Sequence, residues 1–339
     1  MEPVTHALAS LALARACHHR LPRFGTAMLV VAGVAPDLDY ASVLGGAGAF
    51  LRLDRGLLHS LPSAAVLSCA IAAAFQFLDR KRPPKNPAER LRLGPAAVTC
   101  AIGLAGHLLL DLCTGTGVQL LWPFRARWFA AEIAPNFDPW LLILLVAGIL
   151  LPGLLRLVSE EIGDRKKASG PERGAVVTLA LLAMFLGGRA ALHSRAVDLL
   201  VSREYHGRAA LQAGAFPNSS SPFDWRGVVA TDNSIEELEV SLAPGSEFDP
   251  ERSLTRYKPE DSPALEAGEH TAPAKQFLAY ARFPLASVTR HEDDYRFELH
   301  DLRFSSSDNS AANIYLRIDL DSTLKIQKEE FRFASSGNP

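Results

Sequence analysis

The chain has few of the residues on which several common functions are built. It holds four cysteines, Cys17, Cys69, Cys100 and Cys113, and none belongs to a C-x-x-C pair. That spacing leaves neither a zinc knuckle nor a disulfide framework. All four lie in or beside apolar runs, where a cysteine serves as a small hydrophobe. Positive charge is not in excess: the net charge is −2, and Lys and Arg fall in short clusters between apolar segments, which excludes a nucleic-acid binder. No P-loop, dinucleotide fingerprint or serine nucleophile elbow is present, so those enzyme classes are set aside. Charge of either sign is scarce, at 21% of residues against 48% hydrophobic.

The charge that exists is divided unevenly. Residues 1–194 carry a net +6 and residues 195–339 a net −8. The first part also holds six apolar stretches, at about 3–17, 24–44, 62–78, 93–113, 139–156 and 174–193. A helix needs roughly 20 apolar residues to cross a bilayer. The fold class expected is therefore a membrane α-helical bundle of about five to six apolar helices, followed by a small β-rich soluble domain. The first stretch is short and could be a signal peptide, but it has Glu2 and no Lys or Arg before Arg15, so a basic leader is missing.

Basic residues orient the helices, because cytoplasmic loops carry the excess of Lys and Arg. One set of connections holds fourteen: Arg15, Arg20 and Arg23, then six between Arg80 and Arg92, then Arg156, Arg165, Lys166, Lys167 and Arg173. The alternate set holds four, Arg52, Arg55, Arg125 and Arg127. The N-terminus, the 45–61 and 114–138 loops and the tail then lie outside. Residues 1–194 are expected to form the membrane domain and 195–223 an amphipathic helix and linker. Residues 224–339 are expected to form the β-rich domain, with strands at Asp224–Leu242, Phe277–Val288, Tyr295–Phe304 and Asn313–Phe333, and a loop over 244–274.

Against this apolar background six ionisable residues stand out, since such groups are costly in a membrane and are functional candidates by default. They are His6, Asp37, Asp39, His59, His107 and Asp111. His107 and Asp111 are spaced i,i+4 and share one helix face. Asp37 and Asp39 would diverge by about 200° in a helix, whereas an extended or turning backbone after Pro36 would let both reach one centre. The topology drawn from basic residues alone places all six at the outer end of the bundle. Each has a plainer reading. His6 could be solvated, Asp37 could cap a helix, His59 could sit in an interfacial loop, and His107 with Asp111 could be a polar pair holding helices together.

Three imidazoles and three carboxylates at one depth suit a divalent metal ion, Zn²⁺ first and Mn²⁺ or Fe²⁺ next. A metal with an open position activates water for hydrolysis. Asp39 would then serve as proton acceptor, and Arg55 would steady developing negative charge; its plainer role is to snorkel to the headgroups. The substrate expected at headgroup depth is a phosphoester or lipid-like amphiphile, with membrane lipids and a partner of the β domain as neighbours. A transporter, or a scaffold or sensor with a structural site, would use the same residues without hydrolysis.

Thr5-His6, Pro36-Asp37-Leu38-Asp39, Arg55-Gly56-x-x-His59-Ser60 and Gly106-His107-x-x-x-Asp111-x-x-Thr114-x-x-Gly117 follow one another in an order that resembles the YdjM-like family of bacterial inner-membrane proteins. Leu121-Trp122-Pro123-Phe124 and Asp138-Pro139 fit as well, and the likeness covers roughly residues 1–150. In the tail, Phe277-Leu278-x-x-Ala281-Arg282-x-Pro284 and His300-Asp301-Leu302-Arg303-Phe304 resemble the extra domain of longer members. That family is described as membrane-bound, metal-dependent hydrolases. The resemblance implies a metal held by His6, Asp37, Asp39, His59, His107 and Asp111 in a bacterial inner membrane, where the outside given by the basic residues, and with it the tail, is the periplasm. Two positions depart from the pattern: Asp54 stands where the family has His, which keeps an oxygen ligand, and Leu58 stands where it has Thr, which loses a hydroxyl.

The topology has a direct check. Alkaline phosphatase fused after Pro339 is expected to be active and the same reporter fused after Arg82 inactive; the opposite pattern would invert the orientation.

Overall fold

A computed structural model describes residues 1–161, 171–304 and 313–334. Arg165, Lys166 and Lys167, which contribute to the orientation argument, lie outside the described residues. The chain divides into two compact units, one of residues 1–39 and 55–191, the other of 40–54 and 192–339.

In the first unit, every apolar stretch is helical. The helices are α1 (Pro3–Ala16), α2 (Gly25–Val34), α4 (Leu61–Lys81), α5 (Leu93–Leu112), α6 (Pro139–Glu161) and α7 (Pro171–Val201), whose last turns belong to the second unit, as does the short α3 (Ala47–Leu53) that lies between α2 and α4 in sequence. Among the described residues four segments are long and apolar enough to cross a membrane: Gly25–Gly45, Leu61–Lys81, Leu93–Leu112 and Glu172–Val201. This is fewer than the five to six expected. Helix α1 has 14 residues, about 21 Å at 1.5 Å per residue, short of the roughly 30 Å hydrocarbon core. The apolar part of α6 is Pro139–Leu155.

Helix α2 stops before Pro36, which has no backbone N–H to donate back to the Ala32 carbonyl, and the chain tightens into a 3-10 helix over Ala35–Gly45. The packing of α2 is close because its neighbours are small. A Cβ added at Gly103 of α5 would lie 2.8 Å from the Leu29 carbonyl oxygen of α2. Without a hydrophobic force between helices in lipid, such small-residue contacts drive association. Met28, Ala32, Ile71, Ala72, Cys100 and Leu104 fill the seam between α2, α4 and α5.

The second unit is antiparallel throughout. A two-stranded ribbon pairs β1 (Glu204–Tyr205) with β2 (Arg208–Ala209). One four-stranded sheet runs in the order β3 (Gln212–Pro217), β4 (Asp224–Ala230), β5 (Ser234–Ser241), β6 (Leu254–Tyr257). The other contains β7 (Pro284–His291), β8 (Asp294–Asp301), β9 (Ile314–Leu320) and β10 (Ile326–Phe333), with β10 and β7 at its edges. Two short helices, α8 (Pro263–Glu269) and α9 (Ala272–Tyr280), lie between the sheets in sequence.

Several segments differ from the sequence reading. The amphipathic helix expected to open the 195–223 segment ends at Val201, and β1, β2 and β3 fall within the rest of it. The expected 244–274 loop contains β6 and α8. Phe277 belongs to α9 rather than to a strand, because Thr271 caps the helix by accepting from the Ala274 N–H at 3.2 Å and Pro273 starts it.

Buried charge stitches this unit together. Asp301 accepts from the backbone N–H groups of Arg282, Phe283 and Arg303, and from Arg303 Nε at 2.6 Å. Arg226 on β4 donates to the Leu302 carbonyl at 2.9 Å and also reaches the carbonyl of Arg303. The tail motifs around Ala281-Arg282 and Asp301-Leu302-Arg303 are thus one architectural knot. On β5, burial pushes the Glu236 carboxyl up, but hydrogen bonds from Ser234, Ser253 and Thr255 outweigh it and hold the group below the usual carboxylate range.

Removing one partner of a buried ion pair strands the other. Asp301→Ala is expected to destabilise this unit by about 3–5 kcal/mol, read by the fluorescence of buried Trp225 on denaturation. A loss below about 0.5 kcal/mol, ordinary for surface sites, would remove Asp301 from this role.

Candidate metal centre

The centre draws on α1, the 3-10 turn after α2, the residues leading into α4, and α5. Helix α5 presents His107 and Asp111 on one face, as i,i+4 spacing dictates. His6 of α1 stacks on His107, with ring centroids 3.8 Å apart. One donor atom from each of His6, Asp37, His107 and Asp111 lies within 4.8 Å of every other, and three of these residues are buried.

The ring tautomers decide what this cluster can do. His107 Nδ1 lies 2.8 Å from the Gly33 carbonyl oxygen, and an oxygen that only accepts requires the proton on Nδ1. His59 Nδ1 lies 2.8 Å from Asp39 Oδ2, which fixes its proton in the same way. In the neutral rings both Nε2 atoms therefore carry lone pairs, and they face each other at 3.0 Å. Asp111 Oδ2 lies 3.0 Å from His59 Nε2 and 3.3 Å from His107 Nε2, yet it forms no hydrogen bond. Only a cation among these atoms, a proton or a metal ion, relieves the repulsion.

The cluster could hold a metal ion. Ligands at Zn–N distances of about 2.0–2.1 Å in a tetrahedron stand roughly 3.3 Å apart, close to the separations found here. One proton bridges two atoms, whereas His6 Nε2 also comes within 3.2 Å of Asp111 Oδ1. Asp37 Oδ1 stands 3.9 Å from His107 Nε2, and Asp37 Oδ2, Asp39 Oδ1 and His6 Nδ1 are buried without a hydrogen-bond partner. The donor set of imidazoles and carboxylates suits a divalent transition metal.

Asp37 and Asp39 do not share one centre. The 3-10 turn sends Asp37 toward His107 and Asp39 to the far side of His59, where it orients the ring. This carboxylate–histidine arrangement is the usual outer support of a metal-binding imidazole. Arg55, in the left-handed region at φ 53°, brings its guanidinium within 3.2 Å of Asp111 Oδ1 and donates to Thr114 Oγ1 at 3.2 Å. The Met1 ammonium reaches the same Asp111 oxygen.

The YdjM inner membrane protein family matches residues 1–196, more than half the chain. The chain belongs to the YdjM inner membrane protein family. The uncharacterized protein YfhP of Bacillus subtilis (strain 168) is 26% identical over 117 residues, covering 34% of this chain and 33% of that protein. The match thus spans about a third of that relative's length. No solved structure matches the chain.

The structure also gives roles in this YdjM member to residues outside the six-residue candidate set. Arg189 of α7 is 2% exposed and donates from Nε to the Ile133 carbonyl at 2.9 Å, tying the 114–138 loop to the helix. Asp138 caps α6 by accepting from the N–H groups of Trp140 and Leu141. Thr116 donates to Asn136 Oδ1 at 2.9 Å. Arg189 had a signal, a charge within the apolar run 174–193. Thr116 and Asn136 had little, because polar residues in loops are ordinary, whereas Asp138 stood in the Asp138-Pro139 match to the family pattern.

Loss of an outer carboxylate partner commonly weakens metal binding 10–100-fold. Asp39→Ala is expected to fall in that range for Zn²⁺, measured by competition with a chromophoric chelator. Affinity equal to the parent protein would show that His59 needs no such support.

Proposed function

We propose that this YdjM-family protein is a membrane-embedded, metal-dependent hydrolase. It would act at the outer face of the inner membrane on a phosphoester or lipid-like substrate. The observation that carries the reading is the confrontation of His59 and His107, whose Nε2 atoms face each other at 3.0 Å with their Nδ1 protons already committed. His6, Asp37, His107 and Asp111 would hold the ion, with His59 beside them; Zn²⁺ suits these donors, and Mn²⁺ or Fe²⁺ comes next. When bound, the ion lowers the pKa of water to about 7 and polarises the bond under attack.

The chain supplies the remaining work. Asp39 holds the His59 ring through Oδ2, and its unpartnered Oδ1 is left to accept a proton. Arg55 braces Asp111 and offers a planar cation to an anionic oxygen of the substrate. Side-chain exposure is 0% for His6, His107 and Asp111, 15% for Asp37 and 13% for Arg55. The last two mark the side from which substrate would enter. The full burial of the first three also favours a second reading, a closed structural metal site.

Protein purified in detergent is expected to hold one or two equivalents of a transition metal by elemental mass spectrometry, lost in a folded Asp111→Asn variant. Arg55→Met is expected to keep the metal but lower hydrolysis of a phosphodiester or lipid ester about 10²–10³-fold, as loss of a charge-stabilising donor does. A folded parent protein that takes up neither Zn²⁺ nor Mn²⁺ overturns the hydrolase. A metal-loaded protein that hydrolyses none of these esters, and unfolds on metal removal, supports the structural site instead.

A further inference from the structure

At the end of the first unit away from the metal centre, α1, the start of α2, α6 and the start of α7 border a cavity of about 710 Å³. Chain direction fixes its place: His6 lies in the first turns of α1 and Arg15 in its last. Among the described residues, Ile149, Gly153 and Leu154 of α6 contribute to an apolar wall, and Arg15, His18 and Glu172 supply charge and polarity. None of these groups takes part in the hydrolysis proposed above.

The sequence of α6 explains the hollow. Pro152 stands inside the helix and has no N–H to donate to the Gly148 carbonyl. Its ring presses on α7, where a Cβ at Gly174 would lie 2.6 Å from Pro152 Cγ. At Gly153 the reverse holds: among the described residues no atom lies within 4 Å of a Cβ there. The missing side chain leaves space rather than contact.

Ligand pockets of about 300–1,000 Å³ pair an apolar lining with a few placed polar groups. Here those groups carry opposite signs. The Arg15 guanidinium is anchored at the wall by donating from Nη1 to the Ile149 carbonyl at 2.7 Å, which uses one of its five N–H donors. Glu172 is held by His19, whose Nε2 lies 2.7 Å from its Oε1. A simple anion would meet Glu172 and a simple cation would meet Arg15, whereas a zwitterion satisfies both. Arg20 and Arg23, just beyond α1, put this end at headgroup depth.

We propose that the cavity binds one phospholipid with an ammonium headgroup, a phosphatidylethanolamine. One acyl chain fills the space beside Gly153, Arg15 and His18 take the phosphate, and Glu172 accepts from the ammonium. Choline has no N–H and a glycerol headgroup has no cation, so neither gives Glu172 a charged donor. The site is independent of the metal reading, and its lipid is not the substrate.

The whole chain, stripped of lipid in detergent, is titrated with dioleoyl-phosphatidylethanolamine, -phosphatidylcholine and -phosphatidylglycerol, and bound lipid is counted by native mass spectrometry. One ethanolamine lipid is expected to bind about tenfold more tightly than the other two, the scale of one charge-assisted hydrogen bond. Glu172→Gln is expected to erase that preference, since an amide pairs with no cation. Gly153→Phe is expected to weaken all three about tenfold or more, by filling the space of the chain. Circular dichroism checks that both variants are folded.

A diazirine at the end of one acyl chain of the ethanolamine lipid gives a reading that needs no variant. Crosslinks are expected in the peptide that spans residues 149–154. Equal affinity for the three lipids, an unchanged preference in folded Glu172→Gln, or undiminished binding in folded Gly153→Phe would overturn the proposal. Crosslinks confined to α4 and α5 would overturn it as well.

Discussion

Two neutral imidazoles whose outer N–H groups are engaged face each other with lone pairs, and the other candidate site residues gather around them. The Gly33 carbonyl and the Asp39 carboxylate set the tautomers, so in the neutral rings the inner nitrogens carry lone pairs. In a low-dielectric interior an uncompensated polar group costs about 1–3 kcal/mol, more if charged. A cation held among these atoms would supply that compensation. Asp111, 0% exposed, adds negative charge at the centre, and Arg55 and the Met1 ammonium brace one of its oxygens while the other faces the rings.

That arrangement depends on backbones approaching closely. His107 reaches the Gly33 carbonyl because α2 and α5 meet across small residues, Gly103 facing the Leu29 carbonyl. A bulkier seam would push the helices apart and leave His107 Nδ1 without its acceptor. The change from α to 3-10 geometry after Val34 sends Asp37 toward His107 and Asp39 to His59. One becomes a candidate ligand and the other a support. In the β unit, Asp301 and Arg226 do comparable work, tying the turn before β7 and the end of β8 to the neighbouring sheet through backbone atoms.

How much of this is legible in the sequence varies by residue. His107 and Asp111 are legible as a pair because helical periodicity puts i and i+4 on one face whatever the surroundings. The convergence of His6, Asp37 and His59 on them follows from helix direction. The distinct role of Asp39 is not legible, since two residues apart in an unknown backbone can share a centre or diverge. Phe277 reads as strand from local pattern, because an apolar run of that length suits either element, and only the Thr271 cap separates the two. The docking of 40–54 on β10, where Phe50 packs edge-on against Phe333, leaves no trace in local pattern: the two lie 283 positions apart in the chain.

The sequence by itself determined that the chain is a membrane protein with a β-rich tail, because hydrophobic length and alternation are properties of consecutive residues. It also determined which ionisable groups are out of place, because a charge in an apolar run is costly wherever the helix goes. Tertiary structure alone decided which atoms of those groups meet. Tautomers, the split between Asp37 and Asp39, and the seat of α3 depend on distances between segments remote in sequence, and those distances are set by how small residues let backbones approach.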